Sequence, residues 1–219
     1  MEMGGAPRDP KHRGRWDRWL RNLSWRSILA RAGESESGSL ACRFARLFAR
    51  DVSRKECPKE LTKQSPFSSG VVKNREPIVY ALIDPDQIES GSIKAIPKER
   101  LKKAELSVCR AWEATAVEAW ENIMQGQLAK NHQRKDAGYI WASAGEIRKI
   151  RLTDVNAGAF CVIDDGLKNF KAHAVLGYSP APEGYDPVKM ANERLAARGN
   201  LLKLFEGSGV KNWNEWSFN

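Results

Sequence analysis

Charge is divided unevenly along this 219-residue chain, which separates a basic leader from a neutral remainder. Residues 1–75 carry 17 Lys and Arg against 8 Asp and Glu, whereas residues 76–219 carry 19 of each, so the whole excess of +9 lies in the first third. Net charge speaks to partners and solubility rather than to fold, and a partner inferred from it belongs to the leader alone. A hydrophobic content of 42% and a charged content of 29% match ordinary globular usage, which excludes a wholly disordered chain. The expected organisation is a basic, Arg-rich leader and linker over residues 1–75, disordered or conditionally helical, followed by a neutral globular α+β domain over residues 76–219.

Within the leader, Trp16, Trp19, Leu20, Leu23, Ser27 and Ile28 recur at three- and four-residue steps, with Arg15, Arg18, Arg21 and Arg26 between them. This is a short basic amphipathic pattern, and Phe44, Leu47 and Phe48 repeat it beside Arg43, Arg46 and Arg50. Interleaved arginine and aromatic residues suit a phosphate backbone with stacked bases, and they also suit an acidic protein groove or an anionic membrane surface. Residues 1–50 are therefore the candidate surface for nucleic acid or an acidic protein, with Arg15, Arg18, Arg21, Arg26, Arg43 and Arg46 as its contacts. Glu2, Asp9, Asp17, Glu34 and Glu36 argue against a transit peptide. Residues 55–70 read as linker through Pro58, Ser65, Pro66, Ser68, Ser69 and Gly70. Val71 and Val72 stand just ahead of the charge-balanced region, so a bacterial valine start there would make the leader upstream sequence. No run approaches the roughly 18 apolar residues of a membrane span, and nothing near Met1 has the apolar core of a secretory signal. A soluble, cytoplasmic protein is expected.

In the neutral part, residues 78–83 form an apolar run between Pro77 and the turn Asp84-Pro85-Asp86, the pattern of a buried strand. Pro97 then suits a first helical position, and Leu101, Val108, Trp112, Ala116, Ala119 and Ile123 share one face of the following stretch, which predicts one long core helix. Residues 126–138, with Lys130, His132, Arg134 and Lys135, read as an exposed basic loop, and Tyr139, Ile140 and Trp141 as a short strand. Ser143 and Glu146 have the separation of a capping box. Residues 159–163 and 172–178 flank an Asp-Asp-Gly turn and read as a hairpin. Asp186 and Pro187 open a C-terminal helix as cap and first residue, with Val188, Ala191, Leu195, Leu202 and Phe205 on its inner face and a weak point at Gly199. The expected fold is a small mixed or antiparallel sheet with one long core helix and a C-terminal helix. Trp213, Trp216 and Phe218 end the chain as an aromatic group suited to docking on the body or to engaging a protein partner.

Cys42, Cys57, Cys109 and Cys161 show neither metal-ligand nor disulfide-framework spacing, so reduced thiols are expected. Phosphate-loop, dinucleotide and serine-elbow motifs are absent, and no cofactor is expected. The polar constellation that stands out is Asp164, Asp165 and His173. A turn centred near Lys168 sets His173 against Ile163, with Asp165 diagonal to it on the same face. Two carboxylates and an imidazole suit a divalent metal of unspecified identity, or a base with its orienting acid; Asp-Asp-Gly is equally ordinary turn chemistry. Were Asp84 and Asp86 to converge on this group, a metal-dependent nuclease or hydrolase would follow. The leading expectation is a non-catalytic binding or accessory protein that contacts nucleic acid through its leader. The alternatives are that small nuclease, and a protein-interaction subunit of a larger complex.

Overall fold

The computed structural model describes residues 57–61 and 64–218 of the chain. In chain order the elements are β1 (Pro77–Asp84), β2 (Ile88–Glu89), β3 (Ser92–Ile93), α1 (Lys98–Lys103), β4 (Leu106–Arg110), α2 (Ala116–Ala119), a π-helical segment (Trp120–Gln125), α3 (Gly126–Lys130), β5 (Lys135–Ser143), α4 (Ala144–Lys149), β6 (Arg151–Leu152), β7 (Ala157–Gly158), β8 (Phe160–Asp164), β9 (His173–Tyr178) and α5 (Pro187–Glu206). Short 3-10 turns add Pro58–Leu61, Ala111–Glu113 and Trp213–Glu215. Five strands form one sheet in the order β5-β1-β4-β9-β8, with every neighbouring pair antiparallel. The class is α+β, as the sequence suggests.

The apolar run of β1 is continuous because that strand lies inside the sheet and buries both faces. Ile78, Tyr80 and Leu82 point to one side with Leu106, Val108, Phe160, Val162, Ala174 and Leu176, and this face packs against Leu101 of α1, Ile147 of α4, and Met190, Ala197, Leu201 and Phe205 of α5. Val79, Cys109 and Tyr139 point to the other side, where Ala111, Ala114, Ala119 and the C-terminal aromatic residues cover them.

The long core helix is not formed. A left-handed residue, Ala104 (φ 54°, ψ 47°), ends α1 after six residues, and the chain re-enters the sheet as β4 between β1 and β9. Val108 fits a helical stripe, but Leu106, Val108 and Arg110 also alternate with Ser107 and Cys109, and pairing on both sides selects the two-residue period. The helical pattern resumes only at α2, behind a capping box formed by Thr115 and Glu118. The basic loop is likewise shorter than expected, since α3 and the start of β5 occupy most of residues 126–138.

The capping box of Ser143 and Glu146 and the cap at Asp186 are both present. α5 runs unbroken through Gly199, yet it is turned relative to the expected face. Met190, Ala197, Leu201 and Phe205 are buried, whereas Val188 and Leu195 are 71% and 57% exposed. Steps of seven and four residues describe either stripe; packing against β5 and α4 decides between them.

Each edge of the sheet is engaged by the chain itself. On β8, the Glu60 carboxylate accepts a hydrogen bond from the Val162 amide at 2.6 Å. Cys57 is joined there to Cys161 in a disulfide that spans 104 residues. This corrects the expectation of reduced thiols: such a separation carries no local spacing signal, and the two sulfurs meet only because the turn Pro58–Leu61 lies along β8. On β5, Tyr139 exchanges backbone hydrogen bonds with Lys211, and Ser208 accepts from the Trp141 amide. Gly138, at φ +87°, permits this approach, because a Cβ there would stand 2.2 Å from the Lys211 carbonyl oxygen.

The orientation of α5 is tested by two leucines. Leu201→Ala should cost about 2–5 kcal/mol of folding stability, whereas Leu195→Ala should stay within about 0.5 kcal/mol. Urea denaturation of the two variants reads the difference, and equal losses would contradict the packing described.

Candidate functional site

The hairpin residues singled out in the sequence are divided between different surroundings. β8 and β9 pair Ile163 with Val175 and Asp164 with Ala174, two residues from the expected register, so His173 stands level with Asp165 rather than with Ile163. The His173 Nδ1 lies 3.0 Å from the Asp165 carbonyl oxygen and 3.8 Å from its carboxylate. Asp164 turns to the other face and is buried. Its Oδ2 accepts from the Ser68 hydroxyl at 2.5 Å, the Gly70 amide at 2.7 Å and the Arg110 guanidinium at 2.9 Å, while its buried Oδ1 has no hydrogen bond among the described residues.

Asp84 and Asp86 do not join them. Arg110 is level with Ile78 near the start of β1, whereas Asp84 ends that strand opposite Lys135, and Asp86 pairs with Arg134 at 2.7 Å. Arg15, Arg18, Arg21, Arg26, Arg43 and Arg46 lie outside the described residues. Trp213, Trp216 and Phe218 dock on β5: the Tyr139 ring lies 5.0, 5.4 and 6.2 Å from theirs.

Asp164 belongs instead to a buried ion cluster. Arg110 binds Glu76 through two hydrogen bonds of 2.8 and 3.1 Å, Asp164 through one, and the Gly70 carbonyl at 3.0 Å. Burial works against the Arg110 charge, but the pairs with Glu76 and Asp164 outweigh it and hold the guanidinium above its ordinary pKa. A second buried guanidinium, Arg148, bonds Glu60 at 2.8 Å, Asn74 at 2.7 Å and the Val72 carbonyl at 3.0 Å. Residues read from the sequence as linker are thus tied to the sheet at Cys57, Glu60, Ser68 and Gly70.

Among the described residues, the one group of three metal-type ligand atoms within 4.8 Å is Cys57, Glu60 and Cys161. Its two sulfurs are bonded to each other, and its carboxylate is engaged by Arg148 and Val162. This group is a structural anchor rather than a vacant ligand set.

The concave feature with unassigned charge lies on the α5 side of the sheet. A cleft of about 530 Å³ opens between α1 and α5, lined by Lys98, Lys102, Tyr178, Tyr185, Asn192, Arg194 and Arg198 among others. α1 supplies Lys98 and Lys102, and α5 supplies Arg194 and Arg198; in each helix the four-residue step sets both cations on one face. The Arg194 guanidinium carbon stands 4.9 Å from the centroid of the Tyr178 ring, which itself stacks on Phe160. Arg194 donates to the Ser179 carbonyl at 2.7 Å and accepts from the Tyr178 hydroxyl on its own carbonyl at 3.2 Å. Desolvation draws its pKa below the ordinary arginine value, a shift that the nearby Tyr178 opposes. Among the described residues neither Arg194 nor Arg198 has a carboxylate partner, and Lys98 and Lys102 share only the exposed Glu99 at 3.9 and 3.5 Å.

Sequence reasoning passed over this group. Its signal was Arg194 itself: on the true inner stripe of α5, between Met190 and Ala197, it is a cation where packing calls for an apolar residue.

The ion cluster is expected to be structural. Arg110→Met leaves Glu76 and Asp164 buried without their cation, and should lower folding stability by about 3–5 kcal/mol. Urea denaturation measures this, and an unchanged midpoint would remove the cluster from the account. Compared with family models, with curated proteins and with solved structures, the chain finds no match.

Proposed function

We propose that this chain is a non-catalytic binding protein that holds a phosphate-bearing ligand in the cleft between α1 and α5. The observation that carries the reading is Arg194, a partly desolvated guanidinium that faces the cleft with no carboxylate partner among the described residues. A cation withdrawn from water gains most from an anion that supplies both charge and hydrogen-bond acceptors, and guanidinium matches phosphate geometry. Arg198, Lys98 and Lys102 supply further donors around the same space. The lining includes no carboxylate, imidazole or thiol, which favours retention of a ligand over acid–base chemistry on it. Where the ligand is a nucleic acid, the Arg-rich residues 1–50 extend the same electrostatic contact along the backbone.

Calorimetry with inorganic phosphate and with adenosine monophosphate, and fluorescence anisotropy with a short single-stranded oligonucleotide, test this. The double variant Arg194→Gln, Arg198→Gln should weaken the bound probe by at least roughly tenfold, since a hydrogen bond to a charged group contributes about 1.5–3 kcal/mol. For the oligonucleotide, the slope of log affinity against log salt should shrink by about 0.7 for each phosphate contact removed. Equal binding by parent and variant would overturn the proposal.

No helix among the described residues is long and apolar enough to cross a membrane. The Cys57–Cys161 disulfide weighs against the expected cytoplasmic setting, and its state in cells decides between the two. Rapid acid quenching and thiol alkylation should find these cysteines reduced if the setting is cytoplasmic; an intact crosslink would assign the chain to an oxidising compartment.

A further inference from the structure

On the opposite side of the sheet from the cationic cleft, a recess of about 670 Å³ is lined by Ala116, Val117, Trp120, Asp136, Trp213 and Asn214, together with Asn212. Within it an exposed carboxylate lies between two indoles. Asp136 accepts from the Trp120 Nε1–H at 2.8 Å on one oxygen, and from the Trp213 Nε1–H at 3.1 Å and the Gly138 amide at 2.8 Å on the other. An indole N–H lies in the ring plane, so each ring meets Asp136 by its rim and keeps its faces for packing. Among the described residues no ring contact joins Trp120 to Trp213, so the two rings stand apart with the acid between them. Trp213 is braced from behind by Trp216, whose ring is 5.9 Å away and nearly parallel, and by Tyr139. Trp120 opens the π-helical segment, a widened turn that displaces the side chains after it from the α-helical register.

The charge of this site is not neutralised: Asp136 has no ion pair among the described residues. Its hydrogen-bonding capacity, by contrast, is largely spent. A carboxylate offers about four lone-pair sites, and three N–H donors already use three of them. Negative charge, little remaining acceptor capacity and apolar walls together select a cation that has no hydrogen bonds to donate. We propose that the recess formed by Trp120, Asp136 and Trp213 binds a methylated ammonium group, with Asp136 balancing its charge and the indole faces packing its methyl groups. The positive hydrogens of such methyl groups are attracted by an indole face, the strongest of the aromatic partners for a cation.

Free choline and a trimethyllysine side chain both carry this group, and both are used as probes against the full chain. Binding is read by calorimetry and by quenching of tryptophan fluorescence. Choline should bind saturably, and its neutral isostere 3,3-dimethylbutan-1-ol should bind at least roughly tenfold more weakly, because only the charge differs. Ethanolamine, which needs hydrogen-bond acceptors, should also bind more weakly than choline. Asp136→Asn keeps an acceptor for an indole N–H but removes the charge, and should reduce choline to the level of the isostere. If that variant does not fold, the comparison of choline with its isostere on the unmodified chain decides alone. A trimethyllysine peptide that binds more tightly than choline assigns the site to a protein partner, and one that binds more weakly assigns it to a small molecule. Equal binding of choline and the neutral isostere, or no saturable binding of either ammonium probe, overturns the proposal.

Discussion

Two buried guanidiniums hold the first described residues against the sheet, and the arrangement of everything around β8 depends on them. Arg110 stands at the end of the inner face of β4 and gathers Glu76 from the approach to β1, Asp164 from the end of β8 and the Gly70 carbonyl. Arg148, on α4, does the same for Glu60, Asn74 and Val72. Neither arrangement is a source of large net stabilisation, because taking ions from water offsets most of their attraction. What they impose is uniqueness. A segment rich in serine and proline has little apolar surface with which to choose a resting place, and a planar guanidinium with several fixed donors accepts carboxylates only in a narrow geometry. The sites for Glu60 and Asp164 are consequently defined by angle as well as by contact.

Local signals in the sequence were legible where they stood alone. The strand ahead of Asp84, the two-part box at Ser143 and Glu146, the cap at Asp186 and the hairpin around Asp164 each rest on residues within a few positions of one another, and each is present. Where two periods competed, long-range pairing chose. Val108 fits a helical stripe as well as a strand, and only the presence of β1 and β9 on either side makes it a strand residue. The face of α5 differs for a related reason: Val188 and Leu195 form as good a stripe as Met190 and Leu201, and the second stripe is interrupted by the charged Arg194. The crosslink between Cys57 and Cys161 and the arginine cluster join residues far apart in the chain, and nothing local records them.

The charge division also acquires a finer meaning. Residues 76–219 balance their acids and bases, yet the balance is an average over two faces of one sheet. Cations gather between α1 and α5 with little acid near them, while Asp136 sits beside aromatic rings with no base paired to it among the described residues. A neutral domain can thus present opposite preferences on its two sides. Net charge reports neither of them, because the groups concerned are few and opposite charges elsewhere in the sequence cancel in the sum.

The contacts that the chain makes on both sheet edges have a further consequence. Strand-by-strand recruitment, by which proteins capture extended peptides or polymerise into fibrils, requires a row of unpaired backbone groups. Here the Glu60 carboxylate takes up the Val162 amide of one such row, and Lys211 with Ser208 takes up backbone groups of the other at Tyr139 and Trp141. A strand added at these positions would have to displace the chain's own contacts, whereas side chains on the two faces bind without that cost, and there a single substitution alters one contact at a time. The same contacts hinder growth of the sheet from copy to copy.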